Sequence, residues 1–302
     1  MKLATTTSEF SRLCDTYKER ITHVREAGFR YVDLSMYRIP ESEELLLASN
    51  WLDNVKALKE HAESLGMQFV QAHAPGEVYF HAEDGRKEEI IANHARAMEV
   101  CKELEIPNIV VHADSVVGWG KQEFMEENIK FFRKLIPAME KTGVNVLVEN
   151  STNVCWAEKY FVNTGKEMRE FVSLLGHPMF HVCWDTGHAN CEGMQRQELL
   201  DIGEELYGLH INDNNGTVDM HTVPFLGSIN MDDVMHGLME CGYKGYFTFE
   251  ASNPLRYWTG ERREYPEDTR LYEPSLYLQK HIESFMYHVG VHILSSYGCF
   301  EE

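Results

Sequence analysis

Residues 145–150 read Asn145-Val146-Leu147-Val148-Glu149-Asn150, and residues 181–185 read His181-Val182-Cys183-Trp184-Asp185. Each is a short apolar run without polar alternation, the pattern of a strand buried on both faces in a parallel sheet. Each also stops on a carboxylate. The same grammar recurs along the chain: Val70-Gln71-Ala72 leads to His73, Ile109-Val110-Val111 to His112, Gly208-Leu209 to His210, and Phe247-Thr248-Phe249 to Glu250. The strand-like runs are Lys2–Thr6, Tyr31–Ser35, Gln68–Ala74, Asn108–His112, Asn145–Asn150, His181–Asp185, Tyr207–Ile211 and Tyr246–Glu250, with starts 26 to 40 residues apart. Such an interval holds one helix and two loops, which is what a βα unit requires.

The intervening segments carry helical periodicity. Glu43 to Leu65 spaces Leu46, Leu47, Leu52, Val55 and Leu58 along one face and stops at Gly66, and Ile91 to Leu104 and Phe131 to Met139 read similarly. A turn is expected at Lys141-Thr142-Gly143. Strands and helices alternating in this way predict an α/β chain folded as a (β/α)8 TIM barrel, one domain over residues 1–302. The alternative, a doubly wound open sheet, usually shows a glycine-rich loop after its first strand, and here Thr6 is followed by Thr7-Ser8-Glu9. Residues 253–302 read as a long aromatic loop (Tyr257, Trp258, Tyr265, Tyr272, Tyr277) and a C-terminal helix from Leu278 to Leu294. That loop is placed to cover the barrel mouth as a lid or to meet another copy in a homo-oligomer.

Composition narrows the function. The chain of 302 residues carries 48 acidic and 28 basic side chains, a formal charge of −20. Affinity for nucleic acid or an anionic membrane surface comes largely from lysine and arginine, so both partners are disfavoured. Neither a signal-peptide pattern nor a membrane-spanning apolar run is read, and seven cysteines without a C-x-x-C pair fit reduced thiols, so a cytoplasmic location is expected.

In a parallel barrel all C-terminal strand ends open onto one face, and such enzymes place their chemistry there. His73, His112, Glu149, Asp185, His210 and Glu250 are thus expected to converge on one cup. Any one buried histidine is explained by ordinary hydrogen bonding, as are His23, His61, His94 and His236 in the helices. Carboxylates facing one another repel, however, and a bound divalent cation removes that penalty. Glu149, Asp185, His210 and Glu250 offer mostly oxygen and one imidazole, which suits Mn²⁺, or else Mg²⁺ or Co²⁺. A cysteine-rich zinc site is not expected, because Cys183 lies two residues before Asp185 and points deeper into the barrel. His73 and His112 beside Glu149 are placed for a second ion, and His188, Asp219 and His221 for a third. That larger set would favour Zn²⁺.

The strings Val148-Glu149-Asn150, Trp184-Asp185-Thr186-Gly187-His188, His210-Ile211-Asn212-Asp213-Asn214 and Asp219-Met220-His221, with the turn at Pro224 and Gly227, resemble the xylose-isomerase-like TIM-barrel superfamily from Met1 to about Ser252. Two branches compete. Similarity to the ketose 3-epimerases and sugar or sugar-phosphate isomerases implies one cation on Glu149, Asp185, His210 and Glu250, with His188 on a sugar hydroxyl. Similarity to endonuclease IV implies three zinc ions on His73, His112, Glu149, Asp185, His188, His210, Asp219, His221 and Glu250. The acidic charge, and the absence of a basic residue from Ala113 to Gly120, favour a small carbohydrate over DNA. The chain departs from the epimerase pattern in having no arginine near Thr217, and in reading Phe225-Leu226-Gly227-Ser228 after the Asp-x-His pair.

The chemistry so implied is proton abstraction beside a carbonyl, through an enediolate stabilised by the cation, with Glu149 and Glu250 as opposed acid and base. Epimerisation, aldose–ketose isomerisation and elimination all share that step. A non-catalytic metal- and sugar-binding subunit is the alternative of a different class. Around the cup, His73, His112 and Trp119 are candidate substrate contacts, Trp156 is placed to stack on a sugar face, and Met36 and Tyr37 to line the pocket.

Overall fold

A computed structural model describes residues 1–155, 159–193, 195–251 and 274–302. The strands are β1 (Lys2–Thr6), β2 (Tyr31–Ser35), β3 (Gln68–His73), β4 (Asn108–Val111), β5 (Asn145–Glu149), β6 (Phe180–Asp185), β7 (Leu206–His210) and β8 (Tyr246–Phe249). Between them run α1 (Tyr17–Ala27), α2 (Ile39–Leu46), α3 (Trp51–Ser64), α4 (Asp84–Glu103), α5 (Lys121–Thr142), α6 (Gly165–Leu175), α7 (Thr186–Glu192), α8 (Gln195–Ile202) and α9 (Met231–Glu240), and α10 (Leu276–Ser296) follows. The eight strands form one sheet in the order β7-β6-β5-β4-β3-β2-β1-β8. Every ladder is parallel. The ring closes where the Ile211 N–H donates to the Thr248 carbonyl at 2.8 Å and the Glu250 N–H donates to the Ile211 carbonyl at 3.0 Å. This is the TIM barrel expected from the spacing of the apolar runs.

Three helices differ from the reading of the sequence. The single helix expected from Glu43 to Leu65 is two, α2 and α3, with a break at Ala48–Asn50. The apolar period continues in register across the break, but serine and asparagine favour turns and helix starts over helix interiors. Helix α4 begins at Asp84 and α5 at Lys121, both well before their apolar stretches, because their first turns are charged and exposed. Helix α5 also runs on to Thr142, and Gly143 ends it with a left-handed φ of 76°.

The outer core lies between the strands and the helices, with rings such as Phe132 meeting Phe171 and Phe180 at 5.6 and 4.9 Å. Helix α10 presses on the barrel so closely that a Cβ at Gly290 would stand 2.6 Å from Leu3 and 2.8 Å from Phe249. Inside the barrel a second small cluster of Val110, Leu147 and Cys183 fills the space below the strand ends. Cys183 therefore sits in the floor, as its place before Asp185 implies. Gly208 leaves room for the neighbouring floor residue, since a Cβ there would lie 2.5 Å from Gln71 Oε1. Gln71 Nε2 in turn donates to Asp33 Oδ2 at 2.7 Å. The polar site above thus rests on a packed base.

Trp156 and the aromatic positions Tyr257, Trp258, Tyr265 and Tyr272 lie outside the described residues. Among the described residues, no helix is long and apolar enough to cross a membrane.

Candidate metal centre

Each strand end carries its polar residue into the cup because the preceding residues are locked in a buried ladder. Glu149, at the end of β5, is 2% exposed. Its Oε1 lies 2.8 Å from His210 Nδ1, and its Oε2 lies 2.7 Å from His112 Nε2 and 3.6 Å from His73 Nε2. His210 Nδ1 is also 3.5 Å from Glu250 Oε2. On its other side, His210 Nε2 faces the Asp33 carboxylate at 3.7 Å. A carboxylate behind an imidazole fixes the ring that a cation would use.

Asp185 is held from four directions. Its Oδ1 accepts the His188 backbone N–H and its Oδ2 accepts Asn212 Nδ2–H, both at 2.7 Å. Its own N–H donates to Asn150 Oδ1 at 2.6 Å, and Asn150 Nδ2 donates to its carbonyl at 3.0 Å. Gly187 permits this arrangement, because a Cβ there would lie 1.9 Å from Asn212 Oδ1. The strings Glu149-Asn150 and Asp185-Thr186-Gly187-His188 are therefore one interlocked unit in space.

One donor atom each from Glu149, Asp185, His210 and Glu250 falls within 4.8 Å of the other three. Ligands about 2.1 Å from a common ion in an octahedral shell stand about 3 Å apart when adjacent and about 4 Å when opposite. The spacing and the donor chemistry thus fit a hard divalent cation. Electrostatics point the same way. Burial pushes Asp185 up to about 6. Burial also acts upward on Glu149, but the facing His210 and His112 imidazoles outweigh it and hold Glu149 well below the usual carboxylate range.

Two further donor groups line the cup, one as expected from the sequence and one with Cys155 beside His188 and Asp219 where His221 is expected. His73, His112 and Glu149 form one such cluster. His188 Nε2 and His221 Nε2 approach the same oxygen, Asp219 Oδ2, at 3.5 and 3.0 Å. Three of these histidines have Nδ1 on a backbone carbonyl: His73 on Ala74 at 2.8 Å, His188 on Asn150 and His221 on Glu250 at 2.9 Å. A ring whose Nδ1–H donates to a carbonyl presents the Nε2 lone pair to the cup, the arrangement of a metal-ligating histidine. His221 holds its place with a left-handed φ of 48°. Such a conformation costs about 1–3 kcal/mol outside glycine and persists only where surrounding structure imposes it. Here the Asp213–Thr222 backbone pair imposes it, with bonds of 2.8 and 2.9 Å.

These groups open onto a cavity of about 400 Å³, whose lining includes Tyr37, His73, His112, Glu149, Ser151, Cys155, His188, Asp219, His221 and Glu250. Among the described lining residues there is no lysine or arginine. Tyr37 sets its ring edge-on to His73, with centroids 5.1 Å apart. It lies across Gly76, where a Cβ would overlap the ring at 2.1 Å. Two expectations need correction. Trp119 packs against Phe80 at 4.8 Å and is not among the cavity-lining residues, because the approach to α5 carries it into the outer aromatic cluster. Met36 is fully buried in the outer core, so of the two residues only Tyr37, in the turn after β2, lines the cavity. Asp33 and Cys155 carry no signal of a site role in the sequence. Asp33 sits mid-strand rather than at a strand end, and Cys155 reaches the site only through the path of the loop after β5.

The sequence profile described as xylose isomerase-like TIM barrel matches residues 21–274. The inosose isomerase of Halalkalibacterium halodurans is 25% identical over 254 residues, covering 78% of this chain and 83% of that protein. The fructoselysine 3-epimerase of Escherichia coli O157:H7 is 24% identical over 162 residues, covering 51% of this chain and 56% of that protein. The chain thus spans only about half the length of some curated relatives it matches. Among solved structures, D-psicose 3-epimerase of Clostridium cellulolyticum H10, crystallised with D-tagatose, superposes with a TM-score of 0.75 at 18% identity over 97% of this chain and 99% of that one. The IOLI protein with a bound zinc atom gives a TM-score of 0.75 at 20% identity over 98% and 99%. With a family profile running from α1 to the foot of α10 and the barrel architecture both in place, the chain belongs to the xylose isomerase-like TIM-barrel family.

Proposed function

We propose that this protein is a divalent-cation-dependent isomerase or epimerase of a small carbohydrate, acting by proton abstraction next to a carbonyl. The observation that carries the reading is the convergence of two glutamates, an aspartate and a histidine from β5, β6, β7 and the end of β8 within 4.8 Å. Glu149, Asp185, His210 and Glu250 would hold the ion. Mn²⁺ is the proposed ion, with Mg²⁺ and Co²⁺ as alternatives, and it supplies Lewis-acid stabilisation of the negative charge that develops when a proton leaves carbon.

The chain's own residues do the rest. Each glutamate brings two carboxylate oxygens, one for the ion and one for a proton. Glu149 and Glu250 reach the cup from strands on different sides, so one can take a proton from a carbon and the other return one to its opposite face. His73 and His112 line the cavity beside Glu149, and His188 lines it beside Asp185, where imidazole nitrogens suit sugar hydroxyls. The names of the relatives, an inosose isomerase and a fructoselysine 3-epimerase, support a polyhydroxylated substrate.

The test is exchange of a substrate C–H with deuterium from solvent, using ketoses and inositol-derived ketones and the Mn²⁺-loaded protein. Exchange that vanishes in Glu149→Gln and Glu250→Gln supports the reading. A wild-type protein that binds sugar without any exchange would reduce it to a binding subunit. A second reading, a zinc phosphodiesterase, is favoured by the two further ligand groups around the cup. The charge of −20 weighs against a polyanionic substrate.

A further inference from the structure

Resting on the reading above, in which Glu250 is both a ligand and a proton carrier, we propose that the buried Glu9 is a positioning residue that aims Glu250 at the cation centre. Glu250 is the least secured of the three acidic ligands. Asp185 and Glu149 each have both carboxylate oxygens fixed by a nitrogen at 2.7 or 2.8 Å. The Glu250 carboxylate has no such bond among the described residues. Its neighbours His210 Nδ1 and His221 Nδ1 stand at 3.5 and 3.6 Å. Both are already committed, the first to the Glu149 carboxylate and the second to the Glu250 carbonyl. The aim of the Glu250 side chain is therefore set by its backbone.

That backbone lies one residue past the ladder between β1 and β8, whose last pair is Thr5 and Phe249. Successive residues of a strand turn their backbone groups to alternate neighbours. The Glu250 N–H and C=O face β7, where the Ile211 carbonyl accepts at 3.0 Å and His221 Nδ1–H donates at 2.9 Å. The Ala251 N–H faces the β1 side and has no strand to meet there, because the chain leaves β1 at Thr6 for the 3-10 helix Thr7–Phe10. Glu9, on that helix, takes the place of the missing strand: its Oε1 accepts the Ala251 N–H at 3.1 Å, from 242 positions away. The peptide unit joining Glu250 to Ala251 is thus clamped at both ends, by an imidazole and by a carboxyl. Keeping an acid at this place is costly. Glu9 is buried, its Oε2 has no partner among the described residues, and burial with Glu283 and Glu250 nearby pushes it well above the usual carboxylate range. An apolar side chain would avoid that cost. The bond to Ala251 is what the acid makes in return.

The experiment is calorimetric titration of chelator-stripped protein with Mn²⁺. Glu9→Gln keeps a carbonyl oxygen for the Ala251 N–H and should bind the ion as wild type does. Glu9→Met fills the same space without that acceptor and should bind about tenfold or more weakly, the usual loss when a group behind a metal ligand is removed. Glu9→Leu makes the same comparison if the methionine variant does not fold. Gly165→Ala in α6, where a Cβ would stand 2.1 Å from the Glu198 carbonyl oxygen, is the control for lost stability alone and should keep the wild-type affinity. Equal affinity in wild type and Glu9→Met overturns the role of Glu9 and leaves the metal reading intact. So does a loss in Glu9→Gln as large as in Glu9→Met, or the same loss in Gly165→Ala. A wild-type chain that takes up no Mn²⁺ removes the functional reading itself, and the role of Glu9 with it.

Discussion

Replacing Glu283 by glutamine should stabilise this protein, and by an amount that grows with pH. Glu283 lies on the inner face of α10 against β1, fully buried, with its carboxyl facing the Thr5 hydroxyl. Burial pushes it up from 4.5 to about 8, and the nearby buried Glu9 is pushed well up by burial and by Glu283 itself. A carboxyl whose pKa is raised on folding keeps its proton in the native state while the unfolded chain releases it. Between 4.5 and about 8 the native state therefore binds more protons, and stability falls as pH rises. At about 1.4 kcal/mol per pH unit, the cost accumulated by pH 8 is about 5 kcal/mol, and it is constant above that. Glutamine keeps the shape and carries no such slope, and the Thr5 hydroxyl that faces the carboxyl is available to its amide. Urea denaturation of wild type and Glu283→Gln at pH 5, 7 and 9 measures the difference. The variant's advantage should be smallest at pH 5 and reach several kcal/mol at pH 9. An advantage of the same size at all three values, or none, would refute the assignment of Glu283 as a buried, neutral acid.

Other expectations concern the cup. Glu149→Gln and Glu250→Gln should fold normally and lose about 10²–10⁴ in turnover, the usual contribution of a positioned acid or base, measured on the ketose that shows solvent exchange. Gly187→Ala places a Cβ 1.9 Å from Asn212 Oδ1, so it must displace the amide that holds Asp185. It should weaken Mn²⁺ binding by about tenfold or more, read by calorimetry, while a remote control such as Gly85→Ala, where a Cβ meets nothing, leaves it unchanged. Removing the metal leaves the carboxylates of Glu149, Asp185 and Glu250 facing one another, so the melting temperature should fall on chelation and return when Mn²⁺ is added. A melting temperature indifferent to chelator would argue against a resident ion at that centre.

The strand ends were legible in the sequence for a reason that individual residues make plain. Val146-Leu147-Val148 and Val182-Cys183-Trp184 are apolar on both faces, so they must lie in a doubly covered parallel sheet, and the polar residue that follows must sit at its edge. The break at Ala48–Asn50 was not legible, because the apolar period of α2 continues into α3 and only local turn chemistry interrupts it. Nor was the exclusion of Trp119 from the cavity, since a tryptophan after a strand reads the same whether it faces substrate or, as here, Phe80.

What the sequence determined by itself was the barrel and its principal ring of donors, since strand periodicity fixes which end of each run is polar and parallel closure brings those ends to one face. What only the tertiary structure decided was how the donors divide into groups and which other residues join them. Asp33 behind His210, Tyr37 over Gly76, and Cys155 beside Asp219 reach the site by the course of loops and the rotation of side chains. Those contacts join residues far apart along the chain, 64 positions in the case of Cys155 and Asp219. No local periodicity encodes them, because a loop's path is set by the packing of the elements it connects rather than by a repeat in its own residues.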